Sequence, residues 1–270
     1  WAYLSNSEKN EDGDGNNAYD QAGVGALRFD RDGHLIDAYP VLVGSTKNCA
    51  GGATPWRSWL SCEESFTKPG TTFEGESIAH REKKHGYIFE VPVDHEELVE
   101  PVPLTAMGRF VHEAALVDPR TGIVYLTEDR HSSLFYRFIP EVSGKLQEGG
   151  RLQALRVVGK PAFDTRNWED IRSEPGERLQ VDWVDLEEPD VETDDLRLRG
   201  REKGAAIFAR GEGLCSAGND IAFTATIGDA LRASVTASDA AGIRRAWDCI
   251  RDSEAWTVIR LKNKFSVAAS

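Results

Sequence analysis

The sequence predicts an all-β fold of the β-propeller class. Three features indicate it: a strand-pair pattern occurs three times, apolar and polar residues alternate in short runs, and turns rich in Gly, Asp and Asn separate these runs. A chain of 270 residues can form one such domain with a sizeable core. We place the propeller domain, which we expect to be incomplete, at residues 1–228, and we predict a helical tail over residues 229–270.

The first elements are a short β-like run and a hairpin. Residues 1–7 form the run, and a polar loop follows it. The segments 24–30 and 34–43 flank Asp32-Gly33, and an Asp-Gly pair between alternating runs is a strong turn signal. These segments therefore predict a β-hairpin of the kind from which propeller blades are built.

The segment from Asn48 to Glu64 is the most informative part of the chain. It combines a thiol, a turn of small residues, two tryptophans and a Cys-Glu-Glu run. Strand alternation separates Glu63 from Glu64 onto opposite faces. Carboxylates beside a thiol would be explained by a cation, because carboxylate oxygens suit calcium and thiolate suits a softer metal such as iron. The alternative is a strand end with two solvated glutamates.

The outline of this segment recurs twice. Each unit contains a residue of ligand type, two small residues, a turn and a strand that carries Ser or Thr. The three pairs, with spacings of twelve, fourteen and twelve residues, are Cys49–Ser61, Glu113–Thr127 and Glu212–Thr224. Because the first strand of each propeller blade lines the central channel, we expect Cys49, Glu113 and Glu212 to converge there.

Strands and polar connections alternate through the rest of the chain. Further predicted strands are Gly86–Val91, Val99–Leu104, Leu134–Ile139, Leu152–Val158 and Val181–Val184. The acidic segment 163–203 is predicted to be a solvated connection between blades. Beyond Gly228 the strand pattern ends, and apolar residues recur at helical spacing, which predicts the tail helix.

Composition narrows the class of partner. The net charge of −13 argues against nucleic acid or an anionic membrane as the main partner, because both require basic patches. No apolar run approaches the length of a transmembrane helix. The chain begins at Trp1 without a charged and apolar leader, so we expect any export signal to lie outside this sequence. We expect a monomer that acts on a small molecule.

Four motifs taken together resemble the PhoX family of bacterial alkaline phosphatases. They are Asn-Cys-Ala-Gly-Gly-x-Thr-Pro-Trp-x-x-Trp-Leu-Ser-Cys-Glu-Glu at 48–64, His-Glu-Ala-Ala at 112–115, Tyr-Leu-Thr-Glu-Asp at 125–129 and Arg-x-Glu-Gly at 210–213. The segments 3–8 and 23–29 also fit, so the resemblance covers about residues 1–228. It implies a β-propeller phosphomonoesterase with ferric iron and calcium on its axis. It also implies export by the twin-arginine route and hence a periplasmic or extracellular location.

The resemblance implies a set of metal ligands. Cys49, Glu113 and Glu212 would ligate iron, and the two glutamates could also bridge to calcium. Glu64 would ligate calcium, with Glu63 as the alternative. Without cations these converging carboxylates would repel one another and become protonated. Cys49 could instead be a small core residue.

The resemblance also implies two residues that contact the substrate, a small phosphate ester. Arg210 would clamp the phosphate, since a guanidinium binds phosphate in a bidentate manner, and it lies two residues before Glu212 on the same face of a predicted strand. An ordinary ion pair between Arg210 and Glu212 is the alternative. His112 either positions the phosphate or packs at the strand end.

The sequence departs from the family beyond Gly228. There the resemblance implies more Gly-rich strands and a further acidic ligand, neither of which this chain shows. Two other functions therefore stay open. One is a lactonase-like propeller hydrolase, which needs a single calcium and no thiolate, and the other is a non-catalytic propeller module.

Overall fold

The structure is a computed structural model that describes residues 2–8, 22–68, 72–73, 76–77, 83–94, 97–172, 176–217 and 220–225. The chain divides into two compact units, Trp1–Gly228 and Asp229–Ser270. The second unit, and with it the predicted tail helix, lies outside the described residues.

In the described residues, the regular secondary structure of the first unit is almost entirely β-strand. In chain order the elements are β1 (Ala2–Ser7), β2 (Gly23–Phe29), β3 (Leu35–Val43), β4 (Asn48–Ala53), β5 (Ser58–Glu63), β6 (Thr72–Phe73), β7 (Glu76–Ser77), β8 (Ile88–Pro92), β9 (His112–Val117), β10 (Val124–Glu128), β11 (Phe135–Pro140), β12 (Gly150–Val157), β13 (Val181–Leu186), α1 (Leu196–Glu202), β14 (Leu214–Ala217) and β15 (Asp220–Phe223). Most strands follow their predecessors as hairpins, as the turn signals predict.

The strands form antiparallel sheets in chain order. One sheet has the order β1-β2-β3, the next β4-β5-β8, and the next β13-β12-β11-β10-β9. Strands β14 and β15 pair with each other, as do β6 and β7. Each of the larger sheets is therefore formed by its own stretch of the chain, as are the blades of a propeller.

The first strands of successive sheets lie side by side. Strand β4 contacts both β1 and β9, and β9 contacts β14. The approach of β4 to β9 depends on Gly52, because a Cβ atom there would lie 2.0 Å from the carbonyl oxygen of Ala115. This is the arrangement of inner strands around a propeller axis, and the predicted all-β, propeller-like fold is confirmed.

The core lies between the second and third sheets. Its largest buried side chains come from both sheets and from the segments that join them. A second apolar cluster lies between the first sheet and β8 and includes Leu42, Tyr87 and Phe89. In the described residues, no helix has the length and apolar character that crossing a membrane requires.

Two elements differ from the sequence predictions. Residues 99–104 do not form a strand and make only isolated bridges at Val99 and Pro103, because prolines 101 and 103 cannot donate ladder hydrogen bonds. Helix α1 lies within the acidic segment predicted to be an irregular connection. A Cβ atom on its Gly200 would lie 2.4 Å from a Leu134 methyl group, so a glycine permits its close packing.

Candidate metal centre

Five side chains, each from a different strand or strand end, meet at one place. Ligand atoms of Glu64, Glu113 and Asp129 lie within 4.8 Å of one another, and so do ligand atoms of Glu8, Cys49 and Glu64. Glu64 belongs to both groups. We call these five residues the carboxylate–thiol cluster. The structure therefore brings together three of the residues singled out from the sequence, Cys49, Glu64 and Glu113.

The backbone explains why Cys49 and Glu113 meet. Cys49 lies on β4 and Glu113 on β9, the two strands that the glycine at position 52 brings together. The pairing of β4 with β5 shifts register between Asn48 and Gly51, so Cys49 lies in a bulge. Bulges re-aim side chains and are common beside functional sites.

A half-buried asparagine, Asn6, places Glu8 in the cluster. The side chain of Asn6 donates a 2.7 Å hydrogen bond to the Ala50 carbonyl oxygen, beside Cys49. Its own oxygen accepts hydrogen bonds from Trp59 Nε1 at 2.9 Å and Ser61 Oγ at 3.0 Å. Strand β1 is thus tied to β4 and β5, and Glu8 follows directly after it.

Thr127, on β10, connects strand β9 to the segment that carries Glu212. The hydroxyl of Thr127 accepts a hydrogen bond from the Ala114 amide at 3.1 Å and donates one to the Glu212 carbonyl oxygen at 2.6 Å. The pairing of β9 with β10 is irregular between Leu126 and Glu128, and Asp129 lies just beyond this irregularity. The side chain of Asp129 is 6% exposed.

The cluster carries an excess of negative charge. Burial, together with the nearby Glu113, Glu8 and Asp129, raises the pKa of Glu64 to about 8. Burial also raises the pKa of the Cys49 thiol, and the charge of Glu113 adds to the effect. Without a cation, this arrangement favours protonated forms of both groups. A bound cation reverses the preference, because it stabilises the carboxylates and the thiolate.

Arg210 lies at the edge of the cluster. Its Nη2 is 2.9 Å from Asp129 Oδ2 and 3.7 Å from Glu212 Oε1. Its Nε is buried and has no hydrogen-bond partner among the described residues. A guanidinium with a donor still to be satisfied beside a possible metal centre is suited to bind an anion.

The prediction that Arg210 and Glu212 share one strand face is wrong. Residues 209–213 form no strand, and Arg210 has a left-handed φ of 53°, which breaks the alternation of side chains. Its amide donates to the Arg130 carbonyl oxygen at 2.7 Å, and the Glu212 amide donates to the Thr224 carbonyl oxygen at 2.8 Å. Arg210 reaches the cluster through this turn.

Glu212 lies next to the cluster and belongs to neither group of mutually close ligand atoms in the described residues. Arg210 lies within reach of both Glu212 and Asp129. The predicted ion pair between Arg210 and Glu212 is longer than the contact that Arg210 makes with Asp129. Iron ligation by Glu212 stays a prediction.

Glu63 and His112 have other surroundings. Glu63 is fully buried, and its carboxylate accepts four hydrogen bonds from the protein. His112 is also fully buried; it lies 3.6 Å from the Phe110 ring and donates to the Gly108 carbonyl oxygen at 3.0 Å. Burial lowers its pKa to about 3, so the ring is neutral. This geometry favours packing, the second alternative for His112, over contact with phosphate.

Sequence reasoning did not assign Glu8 or Asp129 to the site. Both belong to quoted motifs, as the last residues of Tyr-Leu-Ser-Asn-Ser-Glu and Tyr-Leu-Thr-Glu-Asp. Each lies directly after a strand: Glu8 follows β1, which ends at Ser7, and Asp129 follows β10, which ends at Glu128. An acidic residue directly after a strand is the signal that could have identified them.

Comparison with known families identifies the chain. The family model for alkaline phosphatase PhoX matches residues 19–266, so the similarity continues beyond Gly228, where the sequence analysis placed its end. The chain belongs to the PhoX family. No curated protein matches it. Among solved structures, it is similar to Pseudomonas fluorescens PhoX in complex with vanadate, a transition state analogue, with 18% identity and a TM-score of 0.49.

The PhoX structure from Pseudomonas fluorescens is considerably longer than this chain. The match covers 72% of this chain and 47% of that one. The chain thus spans about half the length of the PhoX protein to which it is compared.

Proposed function

We propose that this chain is a metal-dependent phosphomonoesterase that hydrolyses small phosphate esters at the carboxylate–thiol cluster. Its membership of the PhoX family supports this proposal. The observation that carries it is the position of Glu64, which has a ligand atom within 4.8 Å of those of the Cys49 thiol and Glu8 in one group, and of those of Glu113 and Asp129 in another. We also infer from family membership that the protein acts in the periplasm or outside the cell.

The donor set fits iron together with calcium. Carboxylate oxygens are the ligands of calcium and also suit ferric iron, whereas a thiolate suits a transition metal and not calcium. Cys49, Glu8 and Glu64 offer the mixed set, and Glu64, Glu113 and Asp129 offer the oxygen set. Because Glu64 belongs to both sets, it could bridge two metals. The thiol also argues against the lactonase-like alternative, which needs calcium alone.

The protein residues have separable roles in this proposal. When bound, the metals supply positive charge for the phosphoryl oxygens and lower the pKa of a nucleophilic water. The carboxylates of the cluster hold those charges at the inner strands. Arg210 binds a phosphoryl oxygen through the exposed part of its guanidinium, while its contact with Asp129 fixes the orientation of the group. Glu63 and His112 have no assigned contact with metal or substrate.

The proposal is tested by turnover of p-nitrophenyl phosphate after loading with Fe³⁺ and Ca²⁺. We expect metal-dependent release of nitrophenol, and its loss in Glu64→Gln. Asp170→Asn, in the exposed segment between β12 and β13, is the matched control, because it removes a carboxylate that belongs to no group of possible metal ligands in the described residues; it should retain activity. Tight metal binding without turnover would support a non-catalytic module. Lactone hydrolysis with calcium alone would support the lactonase-like function.

A further inference from the structure

We propose that Glu63 is a positioning residue for the metal centre, whose buried carboxylate fixes the backbone from which Glu64 enters the carboxylate–thiol cluster. The inference rests on the proposed function, because it concerns the affinity of that cluster for metal. Glu63 ends strand β5 and Glu64 follows it. The two neighbours have different partners. Glu63 accepts hydrogen bonds from protein donors, and Glu64 belongs to the carboxylate–thiol cluster.

The carboxylate of Glu63 is saturated by protein donors. Oε1 accepts hydrogen bonds from the Thr46 amide at 2.9 Å and from His85 Nδ1 at 2.8 Å. Oε2 accepts them from the amides of Gly86 at 2.7 Å and Tyr87 at 3.0 Å. Three of the four donors are backbone groups, and they belong to two segments that are distant in sequence. A single side chain therefore holds the turn before β4 and the segment before β8 in one place.

The turn before β4 also holds Glu64. The Glu64 amide donates a 2.9 Å hydrogen bond to the carbonyl oxygen of Lys47, the residue after Thr46. Lys47 has a left-handed φ of 46°, an uncommon conformation that its surroundings must maintain. The Glu63 carboxylate binds one residue of this turn and the Glu64 amide binds the next. A change at Glu63 should therefore reach Glu64 through the turn.

The segment before β8 supports the chain just after Glu64. Gly86 has a φ of 112°, and a Cβ atom there would lie 2.8 Å from the Ser65 carbonyl oxygen. On its other side the fully buried Arg109 donates a 2.9 Å hydrogen bond from Nε to the His85 carbonyl oxygen. The backbone around Glu64 is thus enclosed by segments that the Glu63 carboxylate joins.

A carboxylate is the group that this arrangement requires. Burying a carboxylate is unfavourable unless its oxygens accept hydrogen bonds. Each carboxylate oxygen of Glu63 accepts two. Glutamine has the same shape but only one acceptor oxygen, and its NH₂ group would face two donors. Glu63→Gln should therefore disturb one of the two segments while leaving the side-chain volume unchanged.

The test is a double-mutant cycle on the full chain, with Ca²⁺ binding measured by isothermal titration calorimetry. We expect Glu63→Gln to weaken Ca²⁺ binding by about 10- to 100-fold, the usual effect of losing an outer-shell partner. In the Glu64→Gln background, Glu63→Gln should add less than about a twofold change, because both act through one ligand. Leu60→Val is the control in the same strand; it lowers the thermal midpoint by loss of packing and should leave Ca²⁺ affinity unchanged.

Two results would overturn the positioning role. One is a folded Glu63→Gln variant with the Ca²⁺ affinity of the parent. The other is full additivity with Glu64→Gln, which would mean that Glu63 acts independently. If the parent protein bound no Ca²⁺, the proposed function itself would be contradicted. The titration of the parent gives this result before any variant is made, so the two failures are distinguishable. Should Glu63→Gln fail to fold, Glu63→Asp, with both acceptors retracted by one methylene group, enters the same cycle and should show the same non-additive loss.

Discussion

The contact between β4 and β9 can be tested by adding one methyl group. A Cβ atom on Gly52 would lie 2.0 Å from the Ala115 carbonyl oxygen, where ordinary contact begins at 3.4 Å. Gly52→Ala must therefore separate the strands by about 1.4 Å or distort one of them, at a cost of about 1–3 kcal/mol in the free energy of unfolding. Because Cys49 and Glu113 lie on these strands, the separation also pulls the cluster apart.

Urea unfolding and metal titration measure the two consequences separately. We expect a lower unfolding midpoint and weaker metal binding in Gly52→Ala, since a shift of about 1 Å in a site can reduce activity about 100-fold. Gly25→Ala is the matched control, because its Cβ atom would lie 3.9 Å from the nearest atom, the Tyr39 carbonyl oxygen. If Gly52→Ala matched this control in both assays, the close approach of β4 and β9 would be refuted.

Three further substitutions have distinct expected outcomes. Asp129→Asn should weaken metal binding at least about tenfold because a charged ligand is lost, whereas the exposed Asp170→Asn should not. Equal effects of the two substitutions in calorimetry would exclude a specific site at Asp129. Arg210→Lys should lower kcat/KM for p-nitrophenyl phosphate about 10- to 100-fold, because lysine keeps the charge but lacks the forked donors of the guanidinium. Unchanged kinetics would show that Arg210 does not bind the substrate. Tyr136→Phe should lower the free energy of unfolding by about 2 kcal/mol, because the Tyr136 hydroxyl donates a 2.8 Å hydrogen bond to the buried Glu128 carboxylate. An unchanged midpoint of urea unfolding would contradict that contact.

The repeat in the sequence predicts the inner strands and the approach of two candidate ligands to each other. Cys49 and Glu113 hold the same place in their strand pairs, and strands at equivalent places in successive blades meet at the axis. This inference needs only periodicity and a fold class. It succeeds because the hydrophobic alternation and the turn residues agree along this part of the chain.

The remaining site residues depend on tertiary contacts that periodicity does not encode. Glu8 reaches the cluster because Asn6 ties β1 to a neighbouring sheet, and Asp129 lies beyond an irregularity that ends the alternation of β10. Arg210 adopts a left-handed φ, which is uncommon for a residue other than glycine. A strand pattern carried through residues 208–213 therefore places its side chain on the wrong face.

Glu63 shows why residue type alone does not separate a ligand from its support. In the sequence, both glutamates of the Glu63-Glu64 pair are equally suited to bind calcium. Only the three-dimensional arrangement supplies four protein donors to Glu63 and four close ligand groups to Glu64. The distinction depends on residues 46 and 85–87, which lie far from the pair in the sequence.

The most direct test of the proposed metal centre is iron K-edge X-ray absorption of the loaded protein and of its Cys49→Ser variant. The proposal predicts bound iron with one sulfur ligand among oxygen ligands, and the loss of that sulfur in the variant. Iron bound by oxygen and nitrogen alone, or a sulfur signal that persists in Cys49→Ser, would contradict the assignment of Cys49 and with it the proposed centre.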